Sequence, residues 1–140
     1  MIVVDASTAL RWFIPADLRE AEIWRPAPAD LLLAPDLFAL EVRSAALKYM
    51  RAGELGMVAA TDMLDILDRM IPDLAPMAKH MARIWALACE LDHSPYDCTY
   101  LALAEQFDAP LITADKRLIG KLRGTVHAAR VVHLTDWAAR

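Results

Sequence analysis

A chain of 140 residues, 57% hydrophobic and 24% charged, can bury one core without staples and is too apolar to be disordered. Its net charge of -4 excludes a protein that is basic as a whole. Its two cysteines, Cys89 and Cys98, make no disulfide framework, so a reducing cytoplasm is the expected compartment. No apolar run approaches the roughly 20 residues of a membrane helix, and no basic start leads into a long apolar stretch, so neither a membrane span nor a secretory signal is expected.

Elements alternate along the chain. Ile2 to Val4 reads as a short buried strand. Ser7 is placed to cap a helix from about Thr8 to Ile14, which Pro15 stops. A second short helix is expected from Asp17 to Trp24, broken by Pro26-Ala27-Pro28. Leu31 to Ala34 is a strand. Pro35-Asp36 turns into a helix running to about Arg51, with Gly53 beyond its end. The next helix spans about Glu54 to Met70, with Asp62, Asp65, Asp68 and Arg69 facing outward. Pro72 and Pro76 punctuate the chain. A long helix from Met77 to Leu91 follows, with Met77, Met81, Ile84, Trp85 and Ala88 on its apolar face. Ser94 caps a helix from Pro95 to about Phe107. Leu111 to Thr113 is a strand, Lys116 to Leu122 a short helix, and Val131 to Leu134 a last strand. No internal repeat or linker appears, so residues 1–140 are expected to form one domain. The alternation predicts an α/β fold, a mostly parallel sheet of short strands wrapped by helices.

Four acids stand at telling places on this plan. Asp5 ends the first strand and Asp115 follows the Leu111 strand. Asp97 lies in the first turn of the helix behind Ser94-Pro95. Glu41 lies about one turn into the helix after the Leu31 strand, among Leu37, Phe38, Ser44 and Ala45. Ligands of wound α/β sheets bind at the carboxyl ends of the strands, and crossover helices begin at that same edge, so all four acids should face one rim. Each has a bland alternative. Asp97 suits a helix dipole, and Asp5 and Asp115 each suit a helix cap. The joint pattern points further, because clustered carboxylates need a cation. Hard oxygen donors select Mg²⁺ or Mn²⁺ over zinc. The natural chemistry is metal-assisted phosphodiester hydrolysis.

The stretch from Lys116 to Arg130 contains no acid and carries Lys116, Arg117, Lys121, Arg123 and Arg130. A positive strip beside an acidic cluster suits a phosphate backbone; alone, it reads equally well as a solvated surface. Lys116, Arg117 and Lys121, with Arg11 and Arg43, are the expected phosphate contacts. Trp12, Phe13 and Trp24 crowd near the N-terminus, and any not spent on the core would line a groove for a partner peptide. His80, Cys89, His93 and Cys98 match no zinc spacing, and Cys89 is expected to be a buried thiol beside Trp85. No P-loop or dinucleotide fingerprint is present.

The motifs IVVDAST, ALEV, SPYDCTYLALAE and APLITADKRL resemble, in order and spacing, those of the PIN-domain family, and within it the VapC-type toxin ribonucleases of toxin–antitoxin pairs. The resemblance covers nearly the whole chain. It implies a Mg²⁺-dependent endoribonuclease held inactive by a VapB-type antitoxin. Asp5, Glu41, Asp97 and Asp115 match the family's metal-binding acids. Ser7 and Thr113 match the hydroxyl positions that orient acids or waters beside them. Trp12, Phe13 and Trp24 would then meet the antitoxin. Lys116 and Arg117 stand where many members carry a further acid, which argues against a second tightly held metal. A homodimer is expected as the commonest closed assembly. Two rival readings are an aspartate-based phosphoacceptor or phosphatase and a non-catalytic interaction domain of the same fold. The phosphatases want a second aspartate two residues after the first, where this chain has Ser7.

Overall fold

In a computed structural model that describes residues 1–14, 24–138 and 140, four parallel strands form one sheet. They are β1 (Ile2–Val4), β2 (Leu32–Leu33), β3 (Leu111–Thr113) and β4 (Val131–His133), in the order β2-β1-β3-β4. Val3 pairs with Leu33 on one side and Leu111 on the other, and Thr113 pairs with His133. β1 and β3 are wholly buried, which is why neither alternates apolar with polar; the one polar side chain in them, Thr113, ends β3. The chain leaves β1 for β2 on one side and β3 for β4 on the other. The switch point of the sheet therefore falls between β1 and β3, where such folds open a crevice at the strand ends.

The helices are α1 (Ala6–Arg11), α2 (Phe38–Arg51), α3 (Met57–Met70), α4 (Met81–Leu91), α5 (Pro95–Gln106), α6 (Lys116–Leu122) and α7 (Leu134–Ala138). α5 is buried along Cys98 to Ala104 on every face, as expected of a helix apolar all round, and it packs against α4, β1 and β3. Ser94 caps it by accepting from the Tyr96 N–H, with Pro95 opening the first turn. The buried side chains form one continuous cluster reaching from β1 to Leu134.

Several local expectations change. Asp5, not Ser7, caps α1, accepting from the Thr8 N–H at 2.8 Å; its carboxylate reaches back over the first turn while Ser7 is already helical. α1 ends at Arg11 instead of continuing to Ile14. The helix expected over 17–24 lies outside the described residues, apart from Trp24. β2 shrinks to two paired residues at the sheet edge. Beyond it, Pro35 bridges Ala75, so the segment after α3 runs alongside the sheet. Met77 to His80 precedes α4 as a 3-10 turn. Met81 and Trp85 were expected inward on α4 and are exposed, as is Cys89. The buried face is instead Ile84, Leu87, Ala88 and Leu91, at steps of three and four. α7 has no counterpart in the sequence reading.

Candidate active site

The acids lie about the switch-point end of the sheet, where His93, Asp97 and Asp115 come closest together and Asp5 and Glu41 stand beyond that group. Asp5 leaves β1 and is buried. Its Oδ1 accepts from Ser7 Oγ at 2.7 Å and from the Thr8 N–H, and its Oδ2 accepts from Thr113 Oγ1. Both hydroxyls are anchored in turn. Ser7 Oγ accepts from the Ala114 N–H at 3.1 Å, and Thr113 Oγ1 accepts from the Asp115 N–H at 2.9 Å. With those N–H groups filling their acceptor sides, each hydroxyl has its single proton left for Asp5. The network ties the β1–α1 turn to the β3–α6 turn, and a hydrogen bond of 2.8 Å from Thr8 Oγ1 to the Ile112 carbonyl closes it below. Asp115 follows as the cap of α6, its Oδ1 accepting from the N–H groups of Arg117 and Leu118.

The other two acids come from helix starts. Glu41 lies in the first turn of α2, and its Oε2 accepts from Tyr100 Oη at 3.2 Å. Asp97 lies in the first turn of α5, with its Oδ2 2.7 Å from His93 Nε2. One ligand atom from each of His93, Asp97 and Asp115 lies within 4.8 Å of the other two. The electrostatics link all four acids. Burial pushes the Glu41 carboxyl above the usual range, and the charges of Asp97 and Asp5 push it further. Burial likewise raises Asp97, against the lowering effect of His93, and Asp115 adds to the rise. Asp5 is raised by burial in spite of its donors.

These opposing pressures test whether a cation fits. Three donors aimed at Asp5 satisfy a carboxylate and would be misdirected at a carboxylic acid, whose own proton needs an acceptor. Burial and like charge nevertheless favour protonation. A divalent cation among the acids resolves the conflict, and carboxylate oxygens suit a hard one. The donor set therefore fits. Asp5, Glu41, Asp97 and Asp115 are its candidate oxygen donors; Ser7 and Thr113, which aim Asp5, are expected from sequence, whereas His93 and Tyr100, which meet Asp97 and Glu41, are not. His93 was considered only in a zinc set, although its place four residues before Asp97 at a capped helix start was visible. Tyr100 sits mid-helix with no local signal; burial raises its phenol strongly, so its proton stays to donate to Glu41. The same geometry weighs against the phosphoacceptor reading, since an Asp5 held by three donors is a poor nucleophile.

The expected cations divide. Lys116 and Arg117 are exposed in the first turn of α6, beside Asp115. Lys121 Nζ lies 4.0 Å from Asp92. Arg43 is committed elsewhere. Two residues beyond Glu41 on α2, it forms a two-pronged pair with Asp68 of α3, at 2.6 and 3.2 Å, and donates to the Ala39 carbonyl. Arg11 lines a groove between α1 and α2 with Ser7, Leu10, Lys48 and Tyr49, of about 410 Å³. Of the aromatic group, Trp12 is buried, while Phe13 and Trp24 are half-buried. Trp12 is only 9% exposed, its Nε1 donates to the Trp24 carbonyl, and its ring meets Trp24 edge-on at 5.8 Å. Trp24 meets Trp137 of α7 in the same manner, and Phe13 packs against the core. These rings fasten the N-terminal segment to the end of the chain, which leaves Trp12 no free face for a partner.

The family described as PIN domain matches residues 2–122. "VapC ribonuclease Mb0985" of Mycobacterium bovis and "Ribonuclease VapC9" of Mycobacterium tuberculosis are each 34% identical over 118 residues, covering 84% of this chain and 88% of the relative. "Ribonuclease VapC3" of Pyrobaculum aerophilum is 32% identical over 127 residues, covering 89% of this chain and 97% of the relative. A crystal structure of PAE2754 from the same organism superposes with a TM-score of 0.73 over 99% of this chain and 87% of its own, at 21% identity, a likeness of fold. The chain belongs to the PIN-domain family, in its VapC-type branch.

Proposed function

We propose that this chain is a VapC-type toxin, a metal-dependent endoribonuclease that hydrolyses RNA phosphodiester bonds. The observation that carries the reading is the group of acids at the switch point, aimed by hydrogen bonds from Ser7, Thr113 and Tyr100, in a chain whose relatives are ribonucleases by name. Mg²⁺ is the proposed cofactor, with Mn²⁺ able to replace it, held by Asp5, Glu41, Asp97 and Asp115. Bound there, it supplies polarisation of a phosphoryl oxygen and activation of water. The chain's own residues do the positioning. Ser7 and Thr113 fix both oxygens of Asp5, His93 fixes Asp97, Tyr100 fixes Glu41, and the start of α6 fixes Asp115. Lys116 and Arg117 bring a polyanion to a rim that would otherwise repel it.

The proposed partner is a VapB-type antitoxin. With Trp12 spent in the core, its tail is better served by the groove between α1 and α2, whose lining includes Ser7. An arginine or lysine of that tail would sit among the acids in place of the metal. A homodimer is the proposed assembly. The experiment is incubation of the purified protein with single-stranded RNA and Mg²⁺, with and without a chelator and with and without the antitoxin. Internal cleavage that requires the metal and stops with the antitoxin is the expected result. Cleavage that persists in chelator, or none in Mg²⁺ or Mn²⁺, contradicts it.

A further inference from the structure

Trp85 stands out on α4. It is 67% exposed, between exposed Met81 one turn earlier and exposed Cys89 one turn later, on a surface otherwise made of Ala82, Arg83, Ala86 and Glu90. Nothing in the fold needs an indole there; the buried face of α4 is complete without it. The ring forms one wall of a groove of about 500 Å³ shared with Cys89, Asp92, His93 and Pro95. The groove owes its shape to the way α4 ends. Asp92 takes the left-handed conformation, with φ of 47°, and the chain folds back so that the His93 N–H donates to the Ala88 carbonyl at 3.2 Å. That turn carries His93 from the groove wall to the candidate site, where its Nε2 meets Asp97. Across the rim, Lys121 of α6 approaches Asp92. The groove is thus continuous with the acid cluster through His93 and with the positive face of α6 through Lys121.

We propose that this groove is a subsite for an unpaired base of the RNA substrate, stacked on the Trp85 indole. The inference rests on the ribonuclease reading above. A strand whose phosphates follow Lys116, Arg117 and Lys121 passes the acids with its neighbouring base at the groove. An aromatic face accepts any base, while a base paired in a duplex cannot reach it, so the subsite selects single-stranded RNA. Tyr96, in the first turn of α5 and next to Asp97, is a second exposed ring near the site, at 64%.

The test measures binding of a labelled single-stranded oligoribonucleotide, and of its duplex, in an Asp97→Asn background that stops turnover. Trp85→Ala should weaken single-strand binding roughly tenfold, the range of one lost stacking contact. Trp85→Phe should keep most of it, and duplex binding should be indifferent to both. In the active protein, Trp85→Ala should raise KM far more than it lowers kcat. Thermal unfolding should be unchanged, because the side chain is exposed. Unchanged single-strand affinity in Trp85→Ala, in a protein whose wild type cleaves RNA, overturns the subsite and leaves the ribonuclease reading standing. A change of molecular mass in solution without a change in RNA affinity assigns the surface to a second copy and also overturns it. If the wild type neither cleaves nor binds RNA, both readings fall.

Discussion

Asp5 and Asp97 differ in how their charge is held, and the difference decides what asparagine does at each. Asp5 accepts from three donors, and an asparagine there would turn an NH₂ group towards one or more of them. Asp97 meets one ring nitrogen, which an amide oxygen can still accept. Asp97→Asn should therefore fold at least as stably as the parent without metal, whereas Asp5→Asn should melt lower; a differential scan of the metal-free proteins compares them. The raised carboxyls set a pH dependence. Burial lifts Asp5, Glu41 and Asp97 above their ordinary values, so the folded state keeps protons that the unfolded chain releases. Stability of the metal-free protein should then fall as pH rises from the ordinary carboxylate range through the raised folded values, and saturating Mg²⁺ should remove most of that fall. A melting temperature that does not decline across that window without metal would contradict the burial argument. Thr113→Val keeps the strand shape but strips one donor from Asp5 and one acceptor from the Asp115 N–H. Weakening of metal-dependent activity by about 10- to 100-fold is expected, as for lost ligand-orienting groups. The acids themselves were legible because strand ends and helix starts are marked by apolar runs, Ser94 and Pro95. Of their partners, Ser7 and Thr113 were legible from the motifs and His93 from its place four residues before Asp97, but Tyr100 was not, because it acquires a role only when α2 is brought beside α5.

At the scale of elements, α6 combines two roles that substitution can separate. Asp115 caps it, and its side chain also faces Asp97 and His93. Asp115→Ala should lose activity together with about 1 kcal/mol of stability, the ordinary worth of a cap. Asp115→Asn should lose activity while keeping most of the cap; an Asp115→Ala variant as stable as the parent would show that the cap contributes nothing. Lys116 and Arg117 occupy the first turn of α6, where positive charge opposes the helix dipole, so helix stability does not account for them. Replacing both with alanine should flatten the salt dependence of RNA binding by about one unit of slope per contact, with metal affinity little changed. An unchanged slope would make the strip a solvated surface. α6 and β3 were readable to the residue because turn chemistry and apolar runs bound them on both sides. α4 was read with Trp85 inward because its alanines fit either face, and only α5 and the sheet settle which face is covered. α7 escaped because five residues give too little periodicity to detect.

The whole molecule turns on its sheet order. β2-β1-β3-β4 puts the first and third strands side by side, so acids 110 residues apart in sequence, Asp5 and Asp115, face one crevice. α2 and α5 begin at that same edge and bring Glu41 and Asp97 to it. The parallel sheet followed from alternating strand and helix patterns, whereas the strand order did not, because strands of two or three residues carry no pairing signal of their own. Nor did the tryptophan contacts. Trp12 is buried, as expected of at least one of Trp12, Phe13 and Trp24, but its edge-on contact with Trp24, and that of Trp24 with Trp137 of α7, could not be read from residues so far apart in sequence. The central claim is that these acids hold a divalent cation for RNA cleavage, and Asp97→Asn tests it most directly because the change is conservative and compatible with the fold. The measurement is the rate of cleavage of one labelled single-stranded RNA at increasing Mg²⁺, for parent and variant. Parent activity that rises with Mg²⁺ and saturates, against a variant slower by at least about 100-fold at every concentration, is the expected result for a lost ligand. A variant that cleaves at the parent's rate would contradict the account.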